Sequence, residues 1–227
     1  MDSSSPVSAP VSAPISAQIR SASGEVFASM VDASVGSDSG DWMDACRGAP
    51  RVVVRCSDPI GPDATAGAAD DAAARLLASW SQAGWAQFDD DLVVLDRVCT
   101  EAGIELMVRP SCDGMLSDAI CTMAWARRAQ GLGCTLLLDP MGWLTGSMMR
   151  DVDDHLRRFG ELCQDCPKVG AVLIRSVKAD ESGQLEEVSV GDGELDPGLI
   201  MDRLGGVIGD ADAVVVRDWA DLDLLGL

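Results

Sequence analysis

The chain has 227 residues, 47% of them apolar, which is enough mass to bury a proper core in one good-sized domain. Its formal net charge is −20, with 37 Asp and Glu against 17 Lys and Arg, and this argues against nucleic acid or anionic membrane as partners, because polyanions would be repelled. Eight cysteines in a chain of this length do not make a disulfide framework of the small secreted kind, and no run approaches the ~20 apolar residues of a membrane-spanning helix.

Residues 1–24 are of low complexity, with the unit Pro-Val/Ile-Ser-Ala repeated in PVSAPVSAPISA. Such a tract buries little, and residues 1–40 are expected to be largely disordered apart from one short element in GEVFASMVDASVG (24–36). The N-terminus lacks the basic start and apolar core of a secretory signal, so the expected compartment is the cytoplasm. A folded domain is expected over 41–227.

Arg51–Cys56 is a β-branched apolar run and reads as a buried strand. After a loop, DDAAARLLASWSQ (70–82) is helical in pattern. DDDLVVLDRVCTEAG (89–103) reads as a second helix, with acids in its first turn and Gly103 at its end. IELMVRP (104–110) is a strand, and LSDAICTMAWARRAQG (116–131) is a helix that aligns Leu116, Ile120, Met123 and Ala126 on one face. CTLLLDP (134–140) is a strand, and MRDVDDHLRRFGELC (149–163) is a helix with Val152, Leu156, Phe159 and Cys163 in register. KVGAVLIRS (168–176) is a strand, followed by a long loop with room for a small hairpin. DPGLIMDRLGGVIG (196–209) is a helix opened by Asp196 as N-cap with Pro197 behind it. ADAVVVRDW (211–219) is the last strand.

Five strands thus alternate with helices, each a continuous apolar run of the kind buried on both faces. The expected fold class is α/β, with a parallel sheet under helical cover. In parallel sheets and barrels ligands bind at the carboxyl ends of the strands. Arg55, Arg109, Asp139, Arg175 and Arg217 all fall at that edge. Two readings are open for these arginines. Guanidiniums fork onto phosphate or carboxylate oxygens and would make an anion pocket. Alternatively each pairs with a nearby acid such as Asp58, Asp113, Asp139 or Asp218 and closes the barrel end without a ligand. Other reactive residues read as structural. His155 sits mid-helix, and the CQDC spacing (163–166) lies at a helix C-terminus, where the dipole raises a thiol pKa. Cys112 lies close to Arg109, while Trp143 and Trp219 follow strands and are expected in rim or core packing.

In order and spacing, these segments resemble the xylose isomerase-like barrels, the group that includes sugar phosphate isomerases/epimerases and the endonuclease IV type. The resemblance covers roughly 41–219 and corresponds to strands 4–8 of such a barrel. It is carried by ACRGAPRVVVRCSD, LVVLDRVCTEAGIELMVRP, CTLLLDPMGWLTGS, KVGAVLIRSVKADESGQ and VGDGELDPGLIMDRLGGVIGDADAVVVRD. It implies a parallel (β/α) barrel, incomplete at about five to six βα units, whose open edge needs cover from a dimer partner or a tucked N-terminal segment. It also implies divalent-metal ligands at the strand ends. Those positions hold Arg109, Asp139, Gly142, a residue near Leu173, and Arg217, so only Asp139 keeps a ligand type. Hard divalent ions want carboxylate or imidazole donors, so the expectation is no metal and no cofactor.

The expected function is a diverged sugar phosphate isomerase/epimerase-like protein, a pseudoenzyme by its metal positions, that binds a sugar phosphate or sugar acid through the strand-end residues. The alternatives are a non-catalytic structural or interaction module and an active isomerase rebuilt around Asp139 and Cys112.

Overall fold

The computed structural model describes residues 15–21, 26–31, 50–56, 80–112, 114–211, 214–216 and 220–226. Its strands are β1 (Ile15–Ser21), β2 (Val26–Val31), β3 (Arg51–Arg55), β4 (Glu105–Arg109), β5 (Thr135–Leu138), β6 (Val169–Ile174), β7 (Ser176–Ala179), β8 (Leu185–Val188) and β9 (Val214–Val216). Its helices are α1 (Gln82–Glu101), α2 (Ala119–Arg128), α3 (Val152–Cys163), α4 (Pro197–Asp210) and α5 (Ala220–Leu225).

Seven strands close into a ring in the order β1-β2-β3-β4-β5-β6-β9. From β2 round to β9 every pairing is parallel. β1 runs antiparallel to both of its neighbours and closes the gap between β2 and β9. The fold is therefore a parallel α/β barrel with fewer than eight units, as the apolar runs require. The difference from expectation lies at the N-terminus, where β1 and β2 fall inside the stretch 1–40 expected to be largely disordered. The physical reason is the sheet edge. A parallel sheet from β3 to β9 leaves backbone donors and acceptors unpaired on both outer strands. Two short extended segments satisfy them even though their Ser/Ala composition carries little strand signal. The short element expected within 24–36 is β2.

The ring alternates in the way a barrel must, with successive side chains on opposite faces. Val53, Met107, Leu137, Ala171, Leu173 and Val215 form the interior cluster. Val52, Val54, Leu106, Val108 and Leu136 pack outward against Phe88, Leu92 and Trp125 of α1 and α2. Leu138, Val172, Ile174 and Val216 pack outward against α3 and α4.

Three helices depart from their expected limits, α3 by starting at Val152 rather than at Met149, since Gly146–Asp151 is a 3-10 turn. α1 begins at Gln82, capped by the Ser81 hydroxyl accepting from Gly84 N, rather than at the acids of 89–91. Residues 70–79 of the preceding expected helix lie outside the described residues, and neither Trp80 nor Ser81 is helical. The acids are used sideways instead, with Asp89 accepting from Trp125 Nε1 and from Arg128. α2 starts only at Ala119, where Asp118 accepts from Cys121 N, so Leu116 precedes the helix. The buried face is consequently Ala119, Thr122, Met123, Trp125 and Ala126, and Ile120, expected inside, is 67% exposed. α3 buries Leu156, Phe159 and Cys163 of its expected face, and α4 keeps its expected Asp196 cap. β7 and β8 form an antiparallel hairpin that follows β6 without a break beyond Arg175. Among the described residues no helix is long and apolar enough to cross a membrane.

Candidate functional site

Strand parity gathers the charges. Val53, Met107, Leu137 and Leu173 point into the barrel, and two residues further along each chain segment stand Arg55, Arg109, Asp139 and Arg175. The same pleat that fills the interior with apolar groups therefore aims these polar ones at the carboxyl-end mouth.

Asp139 is the centre and is fully buried. Arg109 donates to its Oδ2 from Nε at 2.8 Å and from Nη2 at 2.6 Å. Arg175 donates from Nε at 3.1 Å to each carboxylate oxygen, and from Nη2 at 3.0 Å to Oδ2. Asp139 also caps the 3-10 turn Pro140–Trp143, Oδ1 accepting from Gly142 N at 3.0 Å. Gly142 is needed for that approach, because a Cβ there would lie 2.9 Å from Asp139 Oδ2 and 3.1 Å from the Pro110 carbonyl. Arg109 and Arg175 are both 2% exposed.

A fourth charge comes from the hairpin. Glu187 on β8 accepts from Arg109 Nη2 at 2.8 Å and lies 3.6 Å from Arg175 Nη2. Sequence reasoning missed Glu187, yet the signal was there: in the run LEEV, Glu186 faces solvent and Glu187 lies half-buried, as alternation along a strand requires. Counted among the described residues, two guanidiniums and two carboxylates balance in this group. One donor remains: Arg175 Nη1 is sealed from solvent and has no hydrogen-bond partner among the described residues.

The electrostatics follow from the geometry. Burial by itself would raise the pKa of Asp139, but the adjoining Arg175 and Arg109 guanidiniums outweigh it and hold the carboxyl below its ordinary value. Burial would likewise lower the pKa of Arg109, and the Asp139 and Glu187 carboxylates reverse it, so that the net shift is upward. A carboxylate held this way stays ionised and is a poor proton acceptor. It is a fixed anion that orients two cations.

The remaining candidates either make other contacts or lie outside the described residues. Arg55, half-buried on β3, donates to Ser111 Oγ at 3.3 Å and does not touch Asp139. Arg217, Asp113, Asp218 and Trp219 lie outside the described residues, as does Asp58. Cys112 is linked to the Asp139 turn through its backbone, its N–H donating to the Gly142 carbonyl at 2.9 Å. Trp143 is a core residue, donating to the Leu116 carbonyl and packed edge-on against Phe159. His155 lies on α3 beside Phe159. Burial pushes the Cys163 thiol up to about 12 and raises that of Cys166, the reverse of what a reactive Cys-x-x-Cys pair needs. We therefore expect Cys163 and Cys134, whose thiol burial pushes up to about 11, to resist iodoacetamide at pH 8 in the folded chain. Mass-spectrometric mapping of alkylation with and without denaturant checks this, and rapid labelling of folded Cys163 would contradict it.

No family model matches the chain, and no curated protein matches it significantly. Among the solved structures similar to it are the following two. One is a xylose isomerase-like TIM barrel protein from Mycobacterium smegmatis in complex with magnesium, at 11% identity and a TM-score of 0.44 over 82% of this chain. The other is the apo form of 3-keto-D-glucoside 4-epimerase, YcjR, from E. coli, at 14% identity and a TM-score of 0.44 over 88% of this chain and 77% of that one. The chain spans 63% of the length of the Mycobacterium smegmatis protein.

Proposed function

We propose that this chain is a diverged barrel of the sugar isomerase/epimerase type that has exchanged a divalent-metal site for a guanidinium–carboxylate cluster. In this reading it binds a small, sugar-like anion at the carboxyl ends of its strands. The residues do not fit a divalent ion. Asp139, the one position of ligand type kept, already accepts from two guanidiniums and a backbone N–H, and Arg109 occupies a position where the resemblance implies a carboxylate. Gly142 leaves no room for a ligating side chain beside Asp139. Among the described residues no three His, Cys, Asp or Glu side chains cluster in a way that could hold a metal.

The observation that carries the anion reading is Arg175 Nη1. A buried donor without a partner costs about 1–3 kcal/mol, and more when it is charged, and such donors persist where a ligand supplies the partner. A second reading, a non-catalytic module with its barrel end sealed by ion pairs, is favoured by the ion pairs that Arg109 and Arg175 make with Asp139 and by the Arg109–Glu187 pair.

A thermal-shift matrix separates the readings: EDTA, magnesium, manganese and cobalt crossed with phosphate, sugar phosphates and sugar acids. A ligand present at 100 times its Kd adds about 2.7 kcal/mol to stability. We expect stabilisation by anions in the presence of EDTA. Stabilisation by metal alone would overturn the metal-free site, and no response to any anion would leave the sealed module.

A further inference from the structure

We infer that Arg175 holds the ligand end-on, one anionic oxygen of the ligand accepting from Nη1, and that Asp139 is the positioning residue that aims this nitrogen. The inference rests on the anion reading above and adds to it which donor meets the ligand and what fixes that donor in direction.

A guanidinium is flat, and its N–H groups point in fixed directions. In Arg175 the Nε–Nη2 edge is taken: Nε donates to both oxygens of Asp139 at 3.1 Å, and Nη2 donates to Oδ2 at 3.0 Å. The plane of the group is set by those contacts, and with it the direction of Nη1. Glu187 stands 3.6 Å from Nη2. Nη1 itself is sealed from solvent and has no hydrogen-bond partner among the described residues.

Asp139 can aim an arginine because it is itself held. Its Oδ1 accepts from Gly142 N at 3.0 Å, and its main-chain carbonyl accepts from the same N–H. The turn Pro140–Trp143 that supplies this N–H is anchored at its far end by Trp143, which is buried, packs edge-on against Phe159 and donates from Nε1 to the Leu116 carbonyl at 3.1 Å. Cys112 N ties the turn to the end of the β4 segment by donating to the Gly142 carbonyl at 2.9 Å. A continuous line of fixed groups thus runs from the core through Gly142 and Asp139 to Arg175 Nη1.

With one nitrogen open, the ligand meets Arg175 through one oxygen. Charge-assisted hydrogen bonds are the stronger kind, and they gain further where water is excluded, so the fitting oxygen is anionic, from a carboxylate or a phosphate alike. Lysine cannot serve at this position. Its ammonium nitrogen stands where arginine has Cζ, so a lysine paired with Asp139 ends one bond short of the Nη1 position.

The test is NMR of the full chain labelled with 15N-arginine, titrated with inorganic phosphate and with gluconate, the Arg175 signals being assigned by their loss in Arg175→Lys. Before any anion is added, Nη1 and Nη2 of Arg175 should give separate resonances, because the contacts to Asp139 stop rotation about the Nε–Cζ bond. In Asp139→Asn they should merge. One averaged resonance in the wild-type chain, or two in a folded Asp139→Asn, overturns the positioning role. On saturation with an anion Nη1 should move while Nε stays. An Nη1 resonance that stays put at saturation overturns the contact, and since this arm uses the wild-type chain it holds even where a variant misfolds. Isothermal titration supplies a second arm: Arg175→Lys should bind at least about tenfold more weakly, equivalent to about 1.4 kcal/mol, whichever of the two anions the wild-type chain binds. Equal affinity overturns the assignment to Arg175 and leaves the anion reading intact. A wild-type chain that binds neither anion takes down both. Where both bind, the tighter one tells whether a carboxylate or a phosphate is the better fit to Nη1.

Discussion

Replacing Asp139 with asparagine is expected to destabilise the chain by about 3–5 kcal/mol, the cost of removing one partner from a buried ion pair. The carboxylate takes five contacts from two buried guanidiniums. The amide would remove the buried carboxylate that the two cations share, leave Glu187 at the edge of the group, and turn its own N–H groups toward the guanidiniums. Domains of ordinary stability have only about 5–15 kcal/mol in hand, so the variant should unfold at a much lower urea midpoint with an unchanged slope. The same residue governs the acid limb. Its folded-state pKa is depressed, so its stabilising contribution is complete above the unfolded value of about 3.9 and is lost as pH falls through the folded-state pKa. Asp139→Asn should therefore be less stable at neutral pH and show a shallower loss of stability below about pH 4. A loss under about 1 kcal/mol at pH 7 would mean that the two arginines do not depend on this carboxylate.

The triple replacement Arg109→Met, Asp139→Leu, Arg175→Met is expected to recover most of that loss. Removing a whole buried ionic group in favour of apolar side chains is often neutral, or stabilising by about 1–4 kcal/mol, because three desolvation penalties vanish with the attractions they opposed. Glu187 loses its two arginine contacts, and at 30% exposure it already reaches water. The three positions continue the inward parity of Met107, Leu137 and Leu173, so the new side chains extend the existing interior layer. Stability near that of the wild type, with no stabilisation by any anion, would assign the cluster to binding rather than to folding. A triple variant as unstable as Asp139→Asn would assign it to the architecture of the barrel mouth instead.

Much of the barrel was legible in the chain because its causes are local. Short apolar runs at 51–56, 104–110 and 168–176, bounded by turn residues, read as strands buried on both faces, and the Asp-Pro opening of α4 and Gly103 after α1, with φ +70, are signals of one or two residues. The gathering of the site was legible too, though only in hindsight of the pleat: Val53 and Arg55, Met107 and Arg109, Leu137 and Asp139, Leu173 and Arg175 are each two apart, so each pair shares a face.

Tertiary structure decided what depends on partners distant in sequence. The start of α1 at Gln82 and the outward turn of Ile120 follow from which face meets the sheet, a matter that helical periodicity alone leaves free. The pairing of β1 with both β2 and β9 arises because a curled parallel sheet has two edges to satisfy, a demand no property of ISAQIRS announces. The choice of Asp139 as joint partner of two arginines 30 and 36 residues away, and of Glu187 as the anion above them, was set by strand order and by a hairpin folding back over the barrel mouth. By itself the sequence determined the apolar strands of the parallel sheet, the cations at their ends, and which residues of one strand share a face. Only the closed ring, by bringing the strand ends to one place, decided which charges meet, because ion pairing depends on distance in space and the sequence specifies distance only along the chain.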